Sequence, residues 1–142
     1  MSKIIGQTGI VVSVNVSEDK GQSKLPVECI VLDQYGIQGD AHAGDWHRQV
    51  SLLSKESIDR FQTARGIQVA AGQFGENIAV SGLDLQTVGI LDRLTINKVE
   101  LEVTQVGKAC HGDGCSIYKE VGECIMPKEG IFCRVRKGGE IE

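Results

Sequence analysis

Aromatic residues are scarce in this chain: three Phe, two Tyr and one Trp in 142 residues. A core built on packed rings is therefore excluded, and Val, Ile and Leu must supply it. Positive charge is not concentrated. Lys and Arg number 15 against 19 Asp and Glu, a formal net charge of −4, and without a basic block the electrostatic footprint of a nucleic-acid-binding protein is missing. No apolar run approaches the roughly 20 residues that a membrane-spanning helix needs. A charged-then-apolar signal stretch is also lacking at the start. The five cysteines, at 29, 110, 115, 124 and 133, are odd in number and include no Cys-x-x-Cys pair. That argues against a disulfide framework and for mostly free thiols in a soluble, cytoplasmic protein.

Glycine is abundant. Eighteen glycines against two prolines, without low-complexity repeats, imply many tight turns joining short strands. The length suits a single domain over residues 1–142 with one core of its own. Ile10 to Val16 alternates apolar and smaller or polar residues and predicts a half-buried strand. Ser17 to Ser23 reads as a solvated turn. Val27 to Leu32 is nearly continuous in apolar character and predicts a strand buried on both faces, with Cys29 in the core. These two runs are expected to pair antiparallel. Gln49 to Leu53 predicts a short strand. Ser54 then caps a helix reaching Arg65, with Glu56 in its first turn, Ile58 and Phe61 on its apolar side, and Gly66 stopping it. Val88–Ile96 and Val99–Val106 predict a hairpin across Asn97-Lys98. Cys115 to Met126 predicts a short broken helix ending before Pro127. Ile131 to Arg136 predicts a last strand, ended by Gly138-Gly139. The fold class is mostly β (α+β), a barrel-like arrangement of short, mainly antiparallel strands with one or two helices.

Chemistry-bearing residues fall in three glycine-rich segments. Gly36 to Arg48 holds three glycines, Asp40 and Asp45, His42 and His47, and Arg48, too polar for an element and suited to a structured loop. Asp40 and His42 form a candidate carboxylate–imidazole pair, against the blander reading of a loop held by its own hydrogen bonds. The second segment is Ala71 to Asn77, where Asn77 can present an amide to a ligand or cap a turn. The third follows the strand ending at Val106. Gly107 stops that strand and delivers Lys108, Cys110 and His111 into a loop containing Gly112 and Gly114. A cation and an imidazole beside Cys110 favour its thiolate, which suits a soft metal or a persulfide sulfur. The alternative is a buried, inert cysteine.

Together these segments resemble the MOSC domain, named for the C-terminal domain of molybdenum cofactor sulfurases. The resemblance rests on Gly39-Asp-Ala-His-Ala-Gly44, on Gly72-Gln-Phe-Gly-Glu-Asn77, and on Val88-Gly89 followed by Leu91-Asp-Arg-Leu94. Glu102-Val-Thr-Gln105 followed by Cys110, and Gly130-Ile-Phe-Cys-Arg-Val135 followed by Gly138-Gly139, complete it in the family's order. Many members place a Pro-Arg pair before the cysteine, where this chain has Val106-Gly107. The Cys110-to-Cys115 loop and Cys124-Ile-Met-Pro127 resemble small stand-alone bacterial members.

The resemblance implies a MOSC-like β-barrel with its polar loops at one mouth. It also implies a protein that binds molybdenum cofactor (molybdopterin-bound molybdenum) or carries sulfur towards it. Cys110 would be the metal ligand or persulfide carrier, and His42 a second catalytic candidate that bonds an oxo group or moves a proton. The cofactor's terminal phosphate needs an anion site, for which Arg48, Lys108, Arg134 and the loop amides are candidates; Asp40, Asn77 and His111 complete the binding set. The implied partners are cofactor-biosynthesis proteins or a cysteine desulfurase acting as sulfur donor, with no nucleic acid and no membrane. Two alternatives use the same pocket: a molybdenum-dependent reductase of N-hydroxylated compounds, and a non-catalytic module passing cofactor between proteins. A zinc or redox site on Cys110, His111, Cys115 and Cys124 is disfavoured by the missing Cys-x-x-Cys pair.

Overall fold

A computed structural model of the chain describes residues 9–19, 23–107 and 130–142, and among them ten strands, one α-helix and a 3-10 turn at Leu85–Thr87 make up the regular structure. The strands are β1 (Ile10–Val16), β2 (Leu25–Val27), β3 (Ile30–Asp33), β4 (Gly36–Ile37), β5 (Val50–Ser54), β6 (Ile78–Ser81), β7 (Arg93–Ile96), β8 (Val99–Val106), β9 (Ile131–Lys137) and β10 (Gly139–Ile141). The helix is α1 (Lys55–Arg65), between β5 and β6. A seven-stranded sheet runs β2-β1-β6-β5-β9-β8-β7, and a three-stranded one runs β10-β3-β4. The mostly-β α+β class holds. The strands form two sheets and do not close into one barrel, because the chain leaves the large sheet after β2 and pairs β3 with β10 instead.

All five residues of β5 are buried at the middle of the large sheet. β5 and β6 pair in parallel, an arrangement that needs a crossover between them, and α1 supplies it. Ser54 stops the strand and starts the helix: its Oγ accepts the Ser57 amide at 3.0 Å. Gly66, at φ 66°, ends α1 in the left-handed conformation that glycine adopts without strain. Ile58 and Phe61 of α1 pack with Leu53, Phe74 and Ala79 into a small core on one face of the sheet. There the Phe61 and Phe74 rings meet edge to face at 5.0 Å. The larger core is aliphatic, as the scarcity of rings requires, and joins the two sheets through Ile30, Leu32, Val50, Leu101 and Ile141.

The β7–β8 hairpin pairs Ile96 with Val99 across Asn97-Lys98, with Asn97 at φ 53°, as expected for a two-residue turn, but its first strand begins at Arg93 and not at Val88. β1 pairs antiparallel with β2, Leu25–Val27, so of the expected partner run Val27–Leu32 only Val27 takes part. Other expectations need correction. Val27–Leu32 is not one strand: it divides at Glu28-Cys29, where the chain crosses from one sheet to the other. Cys29 sits at that crossing and is exposed, not core. In β1 the register shifts between Val11 and Ser13; this bulge breaks the alternation, leaving Ile10 and Val12 exposed while Val14 is buried. β10 was not anticipated, because Gly138-Gly139 reads as a stop. Gly138 packs against the Leu32 carbonyl and the strand resumes. The expected helix over Cys115–Met126 lies outside the described residues. Among the described residues, no helix is long and apolar enough to cross a membrane.

Candidate functional site

The loop between β4 and β5 is knitted to its surroundings residue by residue. Asp40 N donates to Ile37 O, Ala41 N to Ser17 O, Ala43 N to Asp40 O and Gly44 N to Tyr35 O. Gln49, fully buried at the loop's end, donates to Gln34 O and Gly44 O and accepts from Val135 N. That amide fastens the loop to β9.

At the centre of the loop lies a buried ion pair. Lys24 Nζ stands 2.7 Å from Asp40 Oδ1, and both side chains are fully buried. Lys24 also meets His42 Nδ1 at 3.0 Å and Ser17 Oγ at 3.1 Å. Asp40 Oδ1 accepts the Ser17 amide and Oδ2 the His42 amide. Burial works to raise the Asp40 carboxyl. The amide hydrogen bond from His42 and the charge and hydrogen bond of Lys24 outweigh it and hold the group well below the usual carboxylate range.

Lys24 also joins the second glycine-rich loop: its amide donates to Gly72 O at 2.7 Å. Gly72 has φ +81°, and a Cβ there would fall 2.2 Å from the Lys24 carbonyl oxygen. Gly72→Ala is therefore expected to cost about 1–3 kcal/mol in backbone strain alone, with the steric clash adding to it. Thermal denaturation would read this as a lowered Tm, and an unchanged Tm would contradict the close approach.

Asp40 and His42 are neighbours, with His42 Nδ1 3.6 Å from Asp40 Oδ2 and turned to Lys24, and the two loops converge through Lys24. Sequence reading missed Lys24, because a lone lysine beside a polar turn reads as surface; only the fold supplies the acceptors that allow its burial. Ser17, read as part of a solvated turn, is one of them. Asn77 is fully buried and its amide is taken up by strands: Oδ1 accepts from Ser51 N and Ser51 Oγ, and Nδ2 donates to Asn15 O. It ties β1, β5 and β6 together.

Arg48 lies beyond the ion pair. Its guanidinium sits 4.8 Å from the Trp46 ring centroid and 5.9 Å from that of Phe132, and its Nε is buried with no hydrogen-bond partner. Arg134, by contrast, is paired with Asp45 at 2.7 Å, on the same loop. His47 Nε2 meets Gln105 Oε1 at 2.8 Å, and the Thr104 hydroxyl donates to the His47 carbonyl. The loop thus reaches the end of β8, where Gly107 N donates to Gly130 O. Lys108, Cys110 and His111 follow in the chain and lie outside the described residues, as do Cys115 and Cys124. Of the remaining cysteines, Cys133 is sealed in the core, where burial pushes its thiol strongly up. As β9's alternation requires, it faces away from Arg134. Partial desolvation and the carboxylates of Glu140 and Glu142 raise the Cys29 thiol. Among the described residues, no cluster of three or more His, Cys, Asp or Glu side chains is placed to hold a metal.

No curated protein sequence matches the chain. Among solved structures it is similar to the YuaD protein of Bacillus subtilis, with 18% identity, a TM-score of 0.74, and coverage of 94% of this chain and 90% of that one. It is also similar to YiiM of Geobacillus stearothermophilus, with 22% identity, a TM-score of 0.71, and coverage of 95% and 71%. For YiiM of Escherichia coli the values are 19% identity, a TM-score of 0.65, and 94% and 66%. At these identities the likeness is one of fold. The MOSC domain family model matches residues 39–142, which takes in the Asp40–His42 loop, Arg48, the Gly72–Asn77 loop and the closing strand, and the chain belongs to that family.

Proposed function

We propose that this site binds molybdenum cofactor, with Cys110 as its metal ligand or as a persulfide carrier in cofactor sulfuration. The observation that carries the proposal is Arg48. A guanidinium held beside two aromatic rings, with Nε buried and unpartnered, leaves a donor unpaired that an incoming anion would satisfy. A phosphate-bearing ligand lying along the glycine-rich loops meets that need. The cofactor, when bound, supplies a molybdenum centre already ligated by pterin sulfurs, to which a cysteine thiolate is a compatible addition. In this reading Arg48 holds the anionic end, and the Arg134–Asp45 pair fixes the loop over β9. The sulfur donor would be a protein of the cysteine desulfurase class.

Protein expressed in a cofactor-producing host and analysed for molybdenum and pterin fluorescence tests this. Cys110→Ala is expected to lose metal or persulfide. Arg48→Ala is expected to weaken cofactor retention by about ten- to a hundredfold, the worth of one hydrogen bond to a charged group. Equal loading of wild type and both variants would reject the site.

A further inference from the structure

Lys24 decides which nitrogen of His42 carries the proton. As an ammonium it has three N–H groups and no acceptor. Three acceptors surround Nζ: Asp40 Oδ1 at 2.7 Å, His42 Nδ1 at 3.0 Å and Ser17 Oγ at 3.1 Å. The Ser17 hydroxyl donates its own proton to Asp19 O at 3.1 Å, so its oxygen is free to accept. Asp40, a carboxylate also accepting the Ser17 and His42 amides, keeps the lysine charged. Facing an ammonium, His42 Nδ1 can only accept. The other candidate partner for Nδ1, Asp40 Oδ2, stands 3.6 Å away, too far for a hydrogen bond.

The ring's setting is equally defined. The His42 amide is bonded to Asp40 Oδ2 at 3.0 Å and its carbonyl accepts Trp46 Nε1 at 2.7 Å. The Trp46 ring lies parallel to the imidazole within 5°. Nδ1 is turned to the fully buried lysine, and the ring's other nitrogen, Nε2, lies at the opposite edge of a side chain that is 22% exposed. We infer that Lys24 is a positioning residue that holds His42 as the neutral Nε2–H tautomer and so makes Nε2 a hydrogen-bond donor. A residue in this state can hold an acceptor atom or give up a proton at Nε2. It cannot relay that proton inward through Nδ1, which the ammonium blocks. The use of this donor, to hold a terminal oxygen or sulfur of a bound group, rests on the function proposed above; the tautomer itself does not.

Nitrogen-15 NMR of the ring nitrogens tests it, with the His42 signals assigned by their loss in His42→Gln. In wild type at neutral pH, Nδ1 is expected to give the signature of an unprotonated nitrogen and Nε2 that of a protonated one. In Lys24→Met the nearest charged neighbour of Nδ1 becomes the Asp40 carboxylate, so Nδ1 is expected to gain a proton signature. A merely structural lysine would leave the signatures where they were. If Lys24→Met does not fold, the wild-type spectrum alone decides. A protonated Nδ1 in wild type, or an unchanged ring signature in folded Lys24→Met, overturns the assignment. Neither outcome depends on whether the protein retains cofactor.

Discussion

Asp40→Ala is expected to destabilise the chain by about 3–5 kcal/mol, the cost of removing one partner from a buried ion pair. Both side chains are fully buried and 2.7 Å apart. Without the carboxylate, the Lys24 ammonium loses its 2.7 Å acceptor and keeps the neutral Ser17 Oγ and His42 Nδ1, and the Ser17 and His42 amides lose theirs. Urea denaturation at neutral pH measures the loss. The double variant Lys24→Met/Asp40→Leu is expected to lose less than Asp40→Ala, because it buries no uncompensated charge. The pH dependence has a definite sign. Because Asp40's carboxyl is held below its ordinary 3.8 in the folded chain, its contribution is fully present above that value and is lost as pH falls below it. A single variant that costs less than about 1 kcal/mol would place the pair at the surface.

The sequence made some of this legible and hid the rest for a physical reason. Helix α1 could be read to the residue, because its limits are set locally by Ser54 and Gly66. The β7–β8 hairpin was legible for the same reason: Asn97 supplies the positive φ that the turn requires. The β1 bulge and the crossing at Cys29 depend on which strands lie alongside, and local patterning carries no trace of that. Residue types likewise marked Gly36–Arg48 as a structured polar loop, with Asp40, His42 and Arg48 as site candidates beside the blander reading of a loop held by its own hydrogen bonds, and those bonds are present. What completes the site is a lysine 16 residues before Asp40, in a stretch without distinguishing pattern. Asn77 shows the converse. Its motif position suggested a ligand contact, while burial commits the amide to strand pairing.

Between about pH 4.5 and 7, wild-type protein is expected to lose on the order of 3 kcal/mol of stability that Glu76→Gln does not lose. Glu76 is 1% exposed, its Oε2 accepts the Gly72 amide at 3.0 Å, and Oε1 is buried without a partner. Burial pushes its carboxyl up from an ordinary 4.5 to about 7, against the pull of the Glu76, Gly72 and Phe74 amides and the Lys24 charge. A raised value means that the folded chain keeps a proton which the unfolded chain releases first. Its stabilising share is thus complete below pH 4.5 and gone once pH has risen through 7. Glutamine keeps the acceptor for Gly72 and has no proton to lose. Denaturation of both proteins at pH 5 and pH 8 isolates the effect, since groups that titrate alike in the two cancel in the difference of differences. Asp40 does not intrude, because its transition lies below the window. Parallel pH slopes would mean that Glu76 is already ionised at pH 5, and its carboxylate would then need a donor at Oε1. With the expected slopes, the loop that binds Lys24 through the Gly72 carbonyl rests on a neutral acid in mildly acidic solution and on a poorly solvated carboxylate above pH 7. The Gly72 loop would loosen across that range while Asp40, whose carboxyl is held below it, stays ionised.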